Sequence, residues 1–288
     1  MSKIALVKSL DSYNGVTKSL KMISQEVKSR LKKINKIIIK INFVTTKNEL
    51  ATTPFPSVKA FIDFIKPFYK GRIIIAEEAT LGDTTKGFNT FGFSNLTKEK
   101  GIKTFDSGKD KSVKISLQRK TINLAKIYTK PSFVVSICRP KTHDTVVVTL
   151  SIKNLLIGAI KHGLFKKRFQ LPHDKRLNYI MADIADYTFP SLSIIDGTIG
   201  MEGNGPANGN PIKSGWVVTG FDALACDSLA CYLMGFDIDD VGYLNLMRDK
   251  KLGKLYPKDD IKIIGENPVS LVKKFKPHRT FQKQRLWK

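Results

Sequence analysis

Apolar positions along this 288-residue chain switch between two spacings, and the switching sets the expected fold. Residues 3–9 (KIALVKS), 36–44 (KIIIKINFV) and 71–79 (GRIIIAEEA) are short apolar runs, the last two β-branched, as strands are. Between the first two, Val16, Leu20, Ile23, Val27 and Leu31 recur at helical spacing. Between the second and third, residues 56–68 form a helical pattern that opens beside Pro56, where a proline suits a first turn. This β-α-β-α-β opening predicts an α/β fold with a mostly parallel, doubly wound (Rossmann-like) sheet and helices on both faces.

The middle of the chain breaks the alternation. Val113, Ile115 and Leu117, then Ile122 and Leu124, follow period two around a polar QRKT, which predicts an antiparallel hairpin inserted at about 104–130. Strand patterns return at 132–140, 192–197, 215–220 and 260–266, with helical patterns at 176–189 and 222–235. We read a single α/β domain over 1–265 and a basic C-terminal tail over 266–288 that carries Phe275, Phe281 and Trp287. The tail fits contact with nucleic acid or a membrane surface. It fits better a terminus whose aromatics tuck against the body while its lysines stay solvated.

One apolar stretch poses a chemical question. From Thr145 to Ile160 the only formal charge is Lys153, and an unpaired buried ammonium is costly. Either a partner such as Asp196 or Glu202 compensates it, or it points into a site. In open parallel sheets ligands bind beyond the carboxyl ends of the strands. The residues that follow the strand patterns are Lys40 and Asn42; Glu77 and Glu78; Arg139, Lys141, Thr142 and His143; and Asp196 with the loop GTIGMEGNGPANGNP. We place Lys153 with them at one rim, at a strand end.

That loop holds five glycines and two prolines. Glycine lets backbone approach a ligand and adopt positive φ, so Gly203 and Gly205 could belong to an anion nest, although a structural Ω-loop has the same composition. No Walker pattern is present, and the loop carries an acid, Glu202. Three of the four histidines, His143, His162 and His173, cluster near Lys153, but their spacing matches no zinc motif. One of them could act as general acid or base, or they could hold a metal.

Charge and cysteine content narrow the classes. Forty-nine Lys and Arg against twenty-five Asp and Glu give a net charge of +24, which attracts anions. The lysines are spread along the whole chain, which also fits genome composition or a thermophilic habit. Between 139 and 176 basic residues outnumber acids nine to two, Lys166, Lys167 and Arg168 among them. No run of eighteen apolar residues or secretion signal appears, so the expectation is a cytoplasmic protein without a transmembrane segment. Cys138, Cys226 and Cys231 lack paired spacing and are too few for a usual iron–sulfur cluster; the last two suit a core helix.

The blocks IKIN (39–42), RPKTH (139–143), TLSIKNLLIG (149–158), DGTIGMEGNGPANGNP (196–211) and GFDALACD (220–227) resemble, in order, those of the domain-of-unknown-function family 362. The resemblance implies that Lys40, Asn42, Lys141, His143, Lys153, Asn154, Asp196, Glu202 and Asp227 occupy that family's recurrent polar positions. Some members carry a ferredoxin-like iron–sulfur segment, whose cysteine run this chain lacks. The overall plan is also distantly similar to the nickel-pincer lactate racemases, by plan rather than motif.

Together these readings predict an enzyme or binding protein for an anionic small molecule, a carboxylate or a phosphate, at the carboxyl rim of the sheet. Lys153, His143 and Asp196 are the candidate catalytic residues. Lys40, Asn42, Lys141, Thr142, Asn154, Glu202, Gly203 and Gly205 are the candidate substrate contacts. A nucleic-acid-associated basic protein and a histidine-based metal or cofactor protein are the alternatives, and the sequence assigns no cofactor.

Overall fold

The β-branched runs become strands and the helical patterns become helices in a computed structural model that describes residues 2–117, 120–161 and 171–288. The strands are β1 (Ser2–Lys8), β2 (Lys36–Lys40), β3 (Arg72–Glu77), β4 (Ile102–Asp106), β5 (Ser112–Leu117), β6 (Lys120–Ala125), β7 (Phe133–Cys138), β8 (Lys141–Thr142), β9 (Val148–Thr149), β10 (Leu192–Gly197), β11 (Gly200–Glu202), β12 (Asn210–Ile212), β13 (Trp216–Gly220) and β14 (Ile261–Gly265). The helices are α1 (Ser12–Met22), α2 (Ser24–Leu31), α3 (Phe55–Ile65), α4 (Thr84–Thr90), α5 (Ser151–Ala159), α6 (Arg176–Ile184), α7 (Ala223–Leu233), α8 (Gly242–Asp249) and the short α9 (Phe281–Gln284).

Eight strands form the central sheet in the order β14-β1-β13-β10-β7-β2-β3-β4. All neighbours run parallel except β13, which is antiparallel to both β1 and β10. The mostly parallel α/β sheet is therefore as expected. Its opening differs in one respect, because β2 and β3 are neighbours while β1 lies across the sheet between β13 and β14. Local periodicity identifies a strand but carries no information about its partner.

Period two along each strand divides the core. Ile37, Ile39, Ile73, Ile75, Val135, Ile137 and Ile194 face one cluster with Val16, Leu20, Phe61 and Ile62 of α1 and α3. Ile38, Ala76, Val134, Ile195 and Val218 face the other, with Leu155, Met181 and Leu229 of α5, α6 and α7. Ile115, Ile122 and Leu124 of the β5–β6 hairpin enter the second cluster. The same parity puts Lys40, Ser136 and Ser193 on the α5 face and Asp196 on the α3 face, where it accepts from Ser57 Oγ at 2.5 Å.

Strand order reverses between β2 and β7: from β2 the chain adds β3 and β4 outward on one side, and from β7 it adds β10 and β13 on the other. This reversal is the topological switch point, the crevice where doubly wound sheets bind ligands. A second sheet, β12-β11-β8-β9, brings Thr149 of β9 to the cavity there. The glycine-rich stretch supplies β11 and β12 as an antiparallel hairpin. Gly205 is required there because a Cβ would run into the Thr142 carbonyl oxygen.

Of the tail aromatics, Phe275 and Trp287 are buried, and Trp287 Nε1 donates to Asp239 O at 2.8 Å. Phe281 packs against the core. These rings face the protein interior, which removes Phe275 and Trp287 as stacking platforms for bases. Among the described residues no helix is long and apolar enough to cross a membrane.

Candidate functional site

The first turn of helix α5 is tied to both β7 and β10. Ser136 Oγ donates to Ser151 O at 2.9 Å, and Ser151 Oγ lies 2.6 Å from Ser193 Oγ. Leu150 gives no side-chain cap; instead Asp227 of α7, fully buried, accepts from Ser151 N at 3.0 Å and Ile152 N at 2.9 Å. Two orphan N–H groups of the helix are thereby satisfied. Lys153 sits in this first turn rather than at a strand end. A cation there faces the positive end of the helix dipole, a place that disfavours it.

Lys40, expected as a substrate contact, is fully buried and forms an ion pair with Glu77. Its Nζ also reaches Asn154 Oδ1 at 3.4 Å, and Glu77 Oε1 accepts from Phe43 N at 3.0 Å. Asn154 Nδ2 in turn donates to Ser136 Oγ at 3.0 Å. The Lys40 side chain passes beneath Gly158, where any Cβ would collide with Lys40 Cε. Lys40 and Asn154 thus knit β2 to α5, and the charge of Lys40 is spent on Glu77.

Lys141, also fully buried, donates to Asn42 Oδ1 and to Ala51 O. Burial pulls its pKa down to about 7, with Arg139 and Lys153 adding positive charge nearby and Cys138 and Glu77 opposing. Because the lysine is a donor, the Asn42 amide must present Oδ1 to it, which leaves Nδ2 as a donor elsewhere.

A cavity of about 370 Å³ opens at the switch point. Its polar wall includes Asn42, Glu77, Glu78, His143, Asp144, Thr149, Lys153, Asn154 and His173, and its apolar wall includes Val44, Leu81, Ile157, Leu171 and Leu177. Lys153 is 7% exposed and has no hydrogen bond or ion pair with any described residue. Burial lowers its pKa to about 8, against the pull of the Asp144 carboxylate. Thr149 Oγ1 is buried without a partner.

His143 Nδ1 accepts from Thr145 N at 3.0 Å and from Val146 N at 3.4 Å. Burial first, and the Lys153 charge second, hold the ring well below its ordinary pKa. The imidazole is therefore neutral with its proton on Nε2, and the 3.2 Å approach of Asp144 to Nδ1 is not an ion pair in that state.

The turn that carries His143 is strained and is held from the C-terminal segment. Val147 has φ +68°, a left-handed conformation that a β-branched residue rarely adopts. His143 N donates to Val147 O at 2.8 Å. Gln284 clamps the same turn, accepting from Val147 N at 2.7 Å and donating to His143 O at 2.9 Å. Thr280 Oγ1 donates to Asp144 O at 2.8 Å. Replacing Gln284 by alanine should cost about 1–3 kcal/mol in urea unfolding by leaving the Val147 N–H without its partner.

Other expected contacts lie elsewhere. Asp196 is bound to Ser57 and to Thr198 N on the opposite face, and Glu202 Oε2 accepts from Lys276 N at 2.8 Å. Neither pairs with Lys153, so the expected compensating acid is not one of these two. Thr142 Oγ1 donates to Gly203 O at 2.9 Å, Gly203 N to Lys276 O and Gly205 N to Gly203 O. The two glycine N–H groups are used within the protein, so they form a hairpin rather than a phosphate cradle. Among the described residues no group of three or more His, Cys, Asp or Glu is arranged to hold a metal. His162, Lys166, Lys167 and Arg168 lie outside the described residues.

Sequence reasoning did not single out Thr149 or Gln284. Thr149 belongs to the block that contains Lys153, and its pairing failure is visible only in three dimensions. Gln284 arrives from 137 residues beyond Val147, with no local signal at all.

The cavity, Lys153 and its Asp227 cap all fall within residues 37–232, which match the family model described as Domain of unknown function (DUF362). The chain belongs to this family. The Gln284 clamp lies beyond the DUF362 match. A thylakoid-associated protein of Synechocystis is 28% identical over 119 residues, 40% of this chain and 36% of that protein. This DUF362 chain thus spans about a third of the curated relative it matches. A crystal structure of a Thermotoga maritima protein is similar with a TM-score of 0.43 and 11% identity, over 79% of this chain and 60% of that one.

Proposed function

We propose that the cavity binds a small molecule through an anionic group, a carboxylate or a phosphate, seated on Lys153. The observation that carries this reading is the contrast among three buried lysines at one switch point. Lys40 and Lys141 each have protein acceptors, whereas Lys153 faces the cavity with none among the described residues. A buried ammonium left bare in the first turn of a helix works against stability on two counts, desolvation and the dipole, and an anionic ligand relieves both.

Asn42 Nδ2, the Thr149 hydroxyl and the His143 Nε2–H add donors to the same wall. The apolar residues Ile157, Leu171 and Leu177 would take the body of the ligand, in a volume suited to a metabolite. The net charge of +24 would raise the concentration of anions around the entrance. An amine and a neutral imidazole on one wall also supply the nucleophile and proton carrier of an enzyme.

Mass spectrometry of the natively purified protein tests the reading. It should find an acidic small molecule that the Lys153→Met protein, purified in parallel, does not retain. A ligand of no negative charge, or equal retention by both proteins, would count against it. Affinity for the anion should be constant below pH 8 and fall about tenfold per pH unit above it, as the ammonium loses its proton.

A further inference from the structure

We infer that Lys153 is a carbonyl-reactive amine, whose Nζ condenses with the aldehyde or ketone carbon of a small oxo acid in the cavity to form an imine. The inference rests on the anion-binding reading of the same cavity and adds a covalent step to it.

An amine that only holds charge gains from acceptors around it, as Lys40 and Lys141 have. Lys153 has none among the described residues, so once deprotonated its lone pair is committed to nothing. Its burial and its place in the first turn of α5 both favour the neutral amine, and a pKa of about 8 leaves an appreciable nucleophilic fraction at neutral pH. The same cavity wall, which also carries Glu78 and Asp144, holds the unpartnered Thr149 Oγ1–H, and Asn42 Nδ2–H and the Nε2–H of neutral His143 are further donors on it. Such donors polarise a carbonyl and stabilise the alkoxide that forms from it.

The step balances without an added oxidant or reductant. The nitrogen lone pair forms a bond to the carbonyl carbon while the C=O π pair moves onto oxygen. The nitrogen then gives up two protons and the oxygen gains two, the C–O bond breaks, and water leaves as the C=N bond closes. Protonation of the imine restores the positive charge beside the acid's carboxylate. The apolar wall of Ile157, Leu171 and Leu177 keeps the imine from bulk water.

The test uses the intact protein, glyoxylate as the oxo acid, glycolate as the matched acid without a carbonyl, and cyanoborohydride to trap imines. At pH 7.5, peptide mapping should show Lys153 alkylated roughly tenfold or more faster than the median lysine, after its lower intrinsic nucleophilicity is allowed for. Glycolate should slow that labelling, and the rate should rise with pH to a half-point near 8. Labelling of Lys153 no faster than the median lysine overturns the inference. If glycolate nevertheless protects Lys153 from acetic anhydride, the anion site stands and only the imine falls. If neither effect is seen, both fall. Rapid labelling that glycolate does not slow keeps the imine and removes the anion reading.

Discussion

Replacing Lys153 by methionine should make the protein more stable at pH 7, by up to about 3 kcal/mol, while abolishing anion binding. The figure follows from the fall of the Lys153 pKa from 10.5 to about 8, at about 1.4 kcal/mol per unit. Methionine fills the same volume, adapts to an irregular wall, and removes the desolvated charge. The pH dependence follows from linkage. The unfolded chain keeps this proton up to about pH 10.5, but the folded chain releases it near 8. Between those values the unfolded state binds more protons, so wild-type stability rises with pH. Below pH 8 the cost is fully present. The advantage of Lys153→Met should therefore be greatest at pH 7 and vanish by about pH 10.5, as urea unfolding at the two values would show. A loss of stability at pH 7 would mean that Lys153 is a structural ion-pair partner.

Lys40→Met should do the opposite and destabilise the protein by about 3–5 kcal/mol, because it strands the Glu77 carboxylate in the interior. Among the described residues Glu77 keeps only the Phe43 N–H at 3.0 Å, and Asn154 loses the ammonium it accepts from. Thermal unfolding of the variant checks the sign. Lys40→Met combined with Glu77→Met should recover much of the loss, since removing both partners of a buried pair is far milder than removing one. The same substitution at two lysines of one site thus has opposite expected signs. What separates them is whether the protein has provided an acceptor.

Much of this site could be read from the chain. The β-branched runs and helical spacings gave a mostly parallel α/β sheet, and the rule that ligands gather beyond strand ends picked out Lys40, Asn42, Glu77, Lys141 and His143. Which of these are occupied could not be read, because pairing depends on contacts such as Lys40 with Glu77 that span 37 residues and a strand crossover. Asp196 shows the parity limit: one residue of register decides which face of β10 it occupies, and it faces α3 rather than the cavity. Gly203 and Gly205 show another. Glycine-rich composition signals close approach or positive φ, but the group approaching Gly205 is Thr142, not a ligand, and Gly203 serves a turn at φ +73°. Gly158 drew no notice in the sequence, yet it makes room for Lys40.

The central claim is that Lys153 is an ammonium with no partner among the described residues, facing a cavity that takes an anion. The most direct measurement is the pKa of that one amine, followed by the NMR shift of its ε-carbon in protein with labelled lysine and assigned by comparison with Lys153→Met. The account predicts titration near 8 in the free protein and an upward shift when a carboxylate such as glycolate is added. Titration at the ordinary lysine value of about 10.4, unchanged by the anion, would contradict it.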